Sequence, residues 1–145
     1  MNTVYRLVLV LASLLAFSGC AAMLSSDLDK AESLYQQKKY AEALKSYKQV
    51  VAHSLSSRQQ AEARYSIALI QASPDNPQKN YTHAMESFEE FVKLYPGHEK
   101  AGEALIWKNT LRVLLDEKRE CEQLKKNIEQ LKKLDIRHEE KRKGK

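Results

Sequence analysis

From residue 27 onward, apolar and polar positions follow one another with the period of an α-helix. Leu28, Ala31, Leu34 and Tyr35 open the pattern at three-four spacing. Ser26 can cap a helix starting at Asp27, and Asp29 adds negative charge to its first turn. Gln36, Gln37, Lys38 and Lys39 form a polar turn. A second helix is predicted over about residues 40–53, with Ala43, Leu44, Tyr47, Val50 and Val51 on one face. Ser57 and Gln60 have the spacing of a capping box and open a third helix. Its apolar positions are Ala61, Ala63, Tyr65, Ile67, Ala68, Leu69 and Ile70. Ser73-Pro74-Asp75-Asn76-Pro77 ends it in a loop. Asn80 can cap a fourth helix carrying Ala84, Met85, Phe88, Phe91 and Val92, which closes at Pro96-Gly97. A fifth starts near His98 with Ala101, Ala104, Leu105, Trp107 and Leu111; the lone Trp107 is read as core. The fold class is therefore all-α: antiparallel helix pairs stacked as a short array, followed by a long C-terminal helix.

The second and fourth helices superimpose as sequences. Tyr40-x-x-Ala43-Leu44-x-x-Tyr47-x-x-Val50-Val51 matches Tyr81-x-x-Ala84-Met85-x-x-Phe88-x-x-Phe91-Val92. A small residue at Ala43 or Ala84 admits a close neighbouring helix, and the aromatics fill the space around it. The pattern resembles the second helix of the tetratricopeptide repeat, and Pro96 matches the proline that closes such a repeat. Ala31 and Ala68 stand where that family usually places glycine, and residues 73–79 lengthen the second turn. The junction Tyr95-Pro96-Gly97-His98-Glu99-Lys100-Ala101 resembles those of periplasmic repeat domains, as in the outer-membrane β-barrel assembly lipoproteins and the Tol-Pal-associated repeat proteins. The resemblance covers residues 27–111 and implies a concave surface that binds other proteins.

Beyond Leu111 the pattern thins. Leu114, Cys121, Leu124, Ile128 and Leu131 keep three-four spacing, and about two heptads are well filled, short of the three or four that define a coiled coil. Asp135 takes the next core place, and Leu134 and Ile136 fall off the stripe. Two readings stand: a helix folded back to cap the array, or one that extends outward to pair with another coil, self-association included. Cys121 is expected as a buried small apolar residue, with an intermolecular disulfide in an oxidising compartment as the alternative.

The first residues read as an address. Arg6 precedes an apolar run at residues 7–17, shorter than the roughly 20 residues a membrane-spanning helix needs. Phe17-Ser18-Gly19-Cys20 resembles the bacterial lipobox, with Phe17 where an aliphatic residue is usual. The resemblance implies cleavage before Cys20 and lipidation of its thiol, giving a stable anchor once two or more acyl chains are attached. Ala21, rather than Asp, follows the cysteine; by the same resemblance the outer membrane is the default, with the chain facing the periplasm. The expected organisation is a signal peptide at residues 1–19, a lipidated linker at 20–26, a tetratricopeptide-like domain at 27–115, and a charged helix or short coiled coil with a basic tail at 116–145.

Composition agrees with helices: only 4 Gly and 3 Pro occur in 145 residues. Lys and Arg number 24 against 19 Asp and Glu, for a formal net charge of +5, but the two signs interleave along nearly the whole chain. That is the mark of solvated helix faces rather than of an unopposed nucleic-acid-binding stripe. Only residues 141–145 approach one. With Cys20 consumed by lipid, Cys121 leaves neither a disulfide framework nor a thiolate zinc site. His53, His83, His98 and His138 form no pair four residues apart, and no Gly-x-Ser-x-Gly, phosphate-binding glycine loop or Cys-x-x-Cys is present. Glu89-Glu90 and Glu139-Glu140 are adjacent on helices and point to different faces. No catalytic, metal or cofactor site is expected. The functional expectation is a lipid-anchored, non-catalytic adaptor binding other envelope proteins, with exposed residues such as Gln37 or Arg64 as contributors. The alternatives are a structural envelope tether, whose basic tail contacts an anionic polymer or lipid, and an accessory lipoprotein of a sensor kinase or assembly machine.

Overall fold

The computed structural model describes residues 27–143, among which there are five helices and no strand. The signal segment, Cys20, the linker, the Ser26 cap and the last two residues of the basic tail lie outside the described residues. Helix α1 occupies residues 27–36, α2 Tyr40–His53, α3 Ser57–Ala72, α4 Tyr81–Leu94 and α5 Ala101–Lys143. Packing runs between chain neighbours: α2 on α3, α3 on α4, and α4 on α5.

The repeat seen in the sequence is a repeat in burial. Ala43, Tyr47 and Val50 of α2 are buried, and so are their counterparts Ala84, Phe88 and Phe91 of α4. Leu44 and Val51 are half-buried, as are Met85 and Val92. Ala31 and Ala68, the small residues of α1 and α3, have no exposed surface. At these crossings a larger side chain would force the helices apart.

Two apolar cores result, and α3 is the wall between them. Ala63 and Ile70 join Ala31, Tyr40, Ala43, Tyr47 and Val50 on one side. Ala61, Tyr65, Ala68 and Ala72 join Ala84, Phe88, Phe91, Ala104 and Leu111 on the other. Being buried on two sides explains why α3 carries apolar residues around so much of its circumference. The second core is aromatic. Tyr65 meets Phe88 and Phe91 edge-on at 5.8 and 5.5 Å between ring centroids, and Trp107 stacks on Phe88 at 6.0 Å. These rings tie α3, α4 and α5 together.

The helix ends are chemically specified. α1 closes in a Schellman motif: Lys39 N–H donates to the Leu34 carbonyl at 2.9 Å and Lys38 N–H to the Tyr35 carbonyl at 2.8 Å. Lys38 takes the left-handed position, with φ 60°. The α3 cap is one residue earlier than the sequence suggests. Ser56, not Ser57, is the N-cap, and its hydroxyl accepts from Gln59 N–H at 3.4 Å. The return arm runs through Ser54: Ser56 N–H donates to Ser54 Oγ at 3.1 Å, and Ser54 Oγ donates to Gln59 Oε1 at 2.7 Å. Gln60 instead donates to the Ser54 carbonyl at 2.7 Å. In the loop after α3, the buried Asn76 donates to the Ile70 carbonyl at 2.9 Å and accepts from Gln78 N–H at 2.9 Å. Asn80 caps α4 as expected, accepting from His83 N–H at 3.1 Å.

α5 begins at Ala101 rather than His98, because residues 98–100 form a turn in which His98 Nδ1 accepts from Lys100 N–H at 3.2 Å. It then runs 43 residues, about 65 Å, with no break at residue 115. Only its first part packs on α4. Every residue from 116 to 143 is exposed, so the helix extends outward and does not fold back over the array. Cys121 is exposed with it, contrary to the buried position expected, because no neighbouring element reaches that far.

Candidate functional site

α1, α3 and the turn before α5 bound one open groove, with Leu28, Asp29 and Glu32 on one wall, Arg58, Gln59, Glu62 and Ser66 on the other, and Lys100 at its end. Helical spacing places these polar residues: Asp29 and Glu32 lie three apart on α1, and Arg58, Glu62 and Ser66 lie four apart on α3. Ala31 of α1 and the alanines of α3 turn into the two cores instead.

Glu62 organises the groove's end. Its Oε2 accepts from Lys100 Nζ at 2.7 Å, and its Oε1 lies 3.7 Å from His98 Nε2. Lys100 Nζ sits 4.9 Å from the Tyr65 ring centroid, a cation–π contact that orients the ammonium. Glu32 organises the α1 wall, accepting from the Tyr47 hydroxyl at 2.7 Å and from Gln36 Nε2 at 2.8 Å. Burial, and then the Glu32 carboxylate, push the Tyr47 phenol above the usual tyrosine range. Tyr65 is raised too, by burial first and then by Glu103; its hydroxyl is fully buried and makes no hydrogen bond. Asp29 and Arg58 stand exposed on facing walls. The result is a surface of alternating charge held by fixed carboxylates, with tyrosines beneath it.

The residues singled out from sequence fare differently. Arg64 does not line this groove. It lies on another side of α3, where its guanidinium pairs with Glu90 of α4 at 2.9 Å. Gln37 sits in the turn after α1 and donates to Ser33 Oγ at 3.1 Å. Glu89 pairs with Lys93 at 3.1 Å, so the adjacent glutamates serve separate partners. Glu139 pairs with Arg142 at 3.3 Å. Trp107 is half-buried against the second core. Sequence reading missed Glu62 and Lys100. The only signal for Glu62 was the four-residue spacing of Arg58, Glu62 and Ser66 along α3, and nothing in the sequence marked Lys100. Among the described residues no group of three or more His, Cys, Asp or Glu side chains is placed to hold a metal ion, and no helix is long and apolar enough to cross a membrane.

Compared with protein-family models, with curated proteins and with solved structures, the chain finds no match in any of the three.

Proposed function

We propose that this chain is a lipid-anchored, non-catalytic adaptor of the bacterial envelope that holds a segment of another protein in the groove between α1 and α3. The observation that carries the reading is the groove itself: exposed Asp29 of α1 and Arg58 of α3 line it together with the paired Glu62 and Lys100. Exposed charges of both signs suit an extended peptide carrying both, and the Glu62–Lys100 pair is already oriented and loses little freedom on binding. Paired helices that leave one polar face open are how tetratricopeptide-like arrays receive partners, which is the family the repeat resembles. Cys20 supplies the anchor in this reading, and the outer membrane, periplasmic side, is the address.

Two measurements test it. A photo-crosslinking residue at position 29 or 58 should give a discrete protein adduct in intact envelopes, and one at Lys45, on the outward side of α2, should not. Equal adducts at all three positions, or none, would count against the groove. Labelled fatty acid should enter the wild-type chain and not Cys20→Ser; equal labelling would remove the anchor and its address.

A further inference from the structure

The distal part of α5 leaves a row of apolar side chains bare: Leu124 is 61 % exposed, Ile128 52 % and Leu131 65 %. A solitary helix has no reason to keep such a row in water. With Leu114 as position a of a heptad, Cys121 and Ile128 also fall at a, Leu124 and Leu131 fall at d, and Glu117 takes the first d, between Leu114 and Cys121. We propose that residues 114–134 form a parallel, in-register, two-stranded coiled coil with a second copy of this chain.

Orientation and partner both follow from the flanking positions. Lys118, Lys125 and Lys132 occupy e, and Glu120 occupies g. In a parallel pair, g of one heptad faces e of the next on the other strand, so Glu120 meets Lys125 of the second copy, twice by symmetry. In an antiparallel pair e faces e, and the three lysines would confront one another. Ile128 at a between Leu124 and Leu131 at d favours two strands in a parallel coil. Asp135, His138 and Arg142 take the next a, d and a, so the apolar seam ends at Leu131. Nothing obstructs a partner along this length, since every residue from 116 to 143 is exposed. The pairing uses only the sequence and exposure of α5, and stands or falls apart from the groove and the anchor.

The full chain in mild detergent provides the test. In a Cys121→Ala background, Leu114→Cys and Leu131→Cys should each form disulfide-linked dimers on mild oxidation, as native Cys121 should. Arg119→Cys, on the outer f position, should not; Cys121→Ala alone controls for Cys20. An antiparallel pair can cross-link a position to itself only near its centre, so it cannot give both 114 and 131. Glu120→Lys should weaken the dimer about ten-fold, and adding Lys125→Glu should restore it. Leu124→Asp with Ile128→Asp should yield a monomer by light scattering with the helical array intact. A wild-type monomer at the highest concentration reached, cross-linking at 119 equal to that at 131, or no rescue by the double charge exchange would each overturn the proposal. So would a cross-linked product containing only a different protein.

Discussion

The Tyr47 hydroxyl, on a side chain with no exposed surface, reaches through the first helix pair to donate to Glu32 Oε2 at 2.7 Å. The equivalent ring in the other repeat, Phe88, has no hydroxyl and packs fully buried against Trp107. The same repeat position thus holds a plain core ring in one pair and a ring with a polar end in the other. The difference lies where the groove is.

Tyr47→Phe should therefore keep the fold and lose about 1 kcal/mol, the net worth of one hydrogen bond to a group that water can also reach. Tyr47→Ala should lose about 3–5 kcal/mol, because a ring-sized cavity opens in the first core. Urea denaturation of the three proteins measures both. A Phe variant as unstable as the Ala variant would mean that the bond, not the packing, holds the pair together.

The α3 cap gives a sharper test because the sequence offers two registers. Ser56 to Gln59 and Ser57 to Gln60 share one spacing, and only the backbone chooses between them. Ser56→Ala should cost about 1 kcal/mol as a lost N-cap. Ser54→Ala should cost about 1–2 kcal/mol, since it strands Ser56 N–H and Gln59 Oε1 together. Ser57→Ala should change stability little. A large loss at 57 with none at 56 would move the cap back to the register read from sequence.

That ambiguity shows what the chain makes legible. The faces of α2 and α4 could be read because each helix has one buried stripe, and the Ala43 and Ala84 repeats lie within single helices. The α3 register could not, because the two serines and the two glutamines are adjacent doublets that propensity does not distinguish. Glu62 and Lys100 lie 38 residues apart and become a pair only when α4 turns the chain back. The exposure of Cys121 could not be read, because its spacing fits a core and spacing alone does not say whether another element of the same chain completes one. Cys20 and the lipobox lie outside the described residues.

Lys38 should be a soft spot. It holds the left-handed position that ends α1, where a side chain is strained and glycine is not. It also pairs with Asp75 of the loop after α3, both largely exposed. Lys38→Gly and Lys38→Ala each remove the ion pair, but only the first removes the strain. The Gly variant should melt about 5 °C above the Ala variant. Equal melting temperatures, followed by circular dichroism, would show that the turn relaxes without cost.

Alkaline pH should unfold the array through its buried phenols. Tyr47 and Tyr65 are both raised from an ordinary value of 10.0, first by burial. A raised value means that the folded state holds the proton more tightly than the unfolded chain does. Their contribution to stability is thus fully present below about pH 10 and is lost progressively as pH rises above it, when the unfolded chain ionises first. Tyr35 shifts in the same direction, also chiefly by burial. Lys38 shares the sign through its hydrogen bond to Asp75, but that pair is exposed and added salt should suppress its part. Tyrosinate absorbance and helical circular dichroism, followed together from about pH 9 to 12, separate the cases. The absorbance of Tyr47 and Tyr65 should appear only as helix is lost. Replacing both by Phe should flatten the fall in stability above pH 10. Complete ionisation of every tyrosine with the helices intact would mean that these two rings are open to water, and that the two cores are not closed as described.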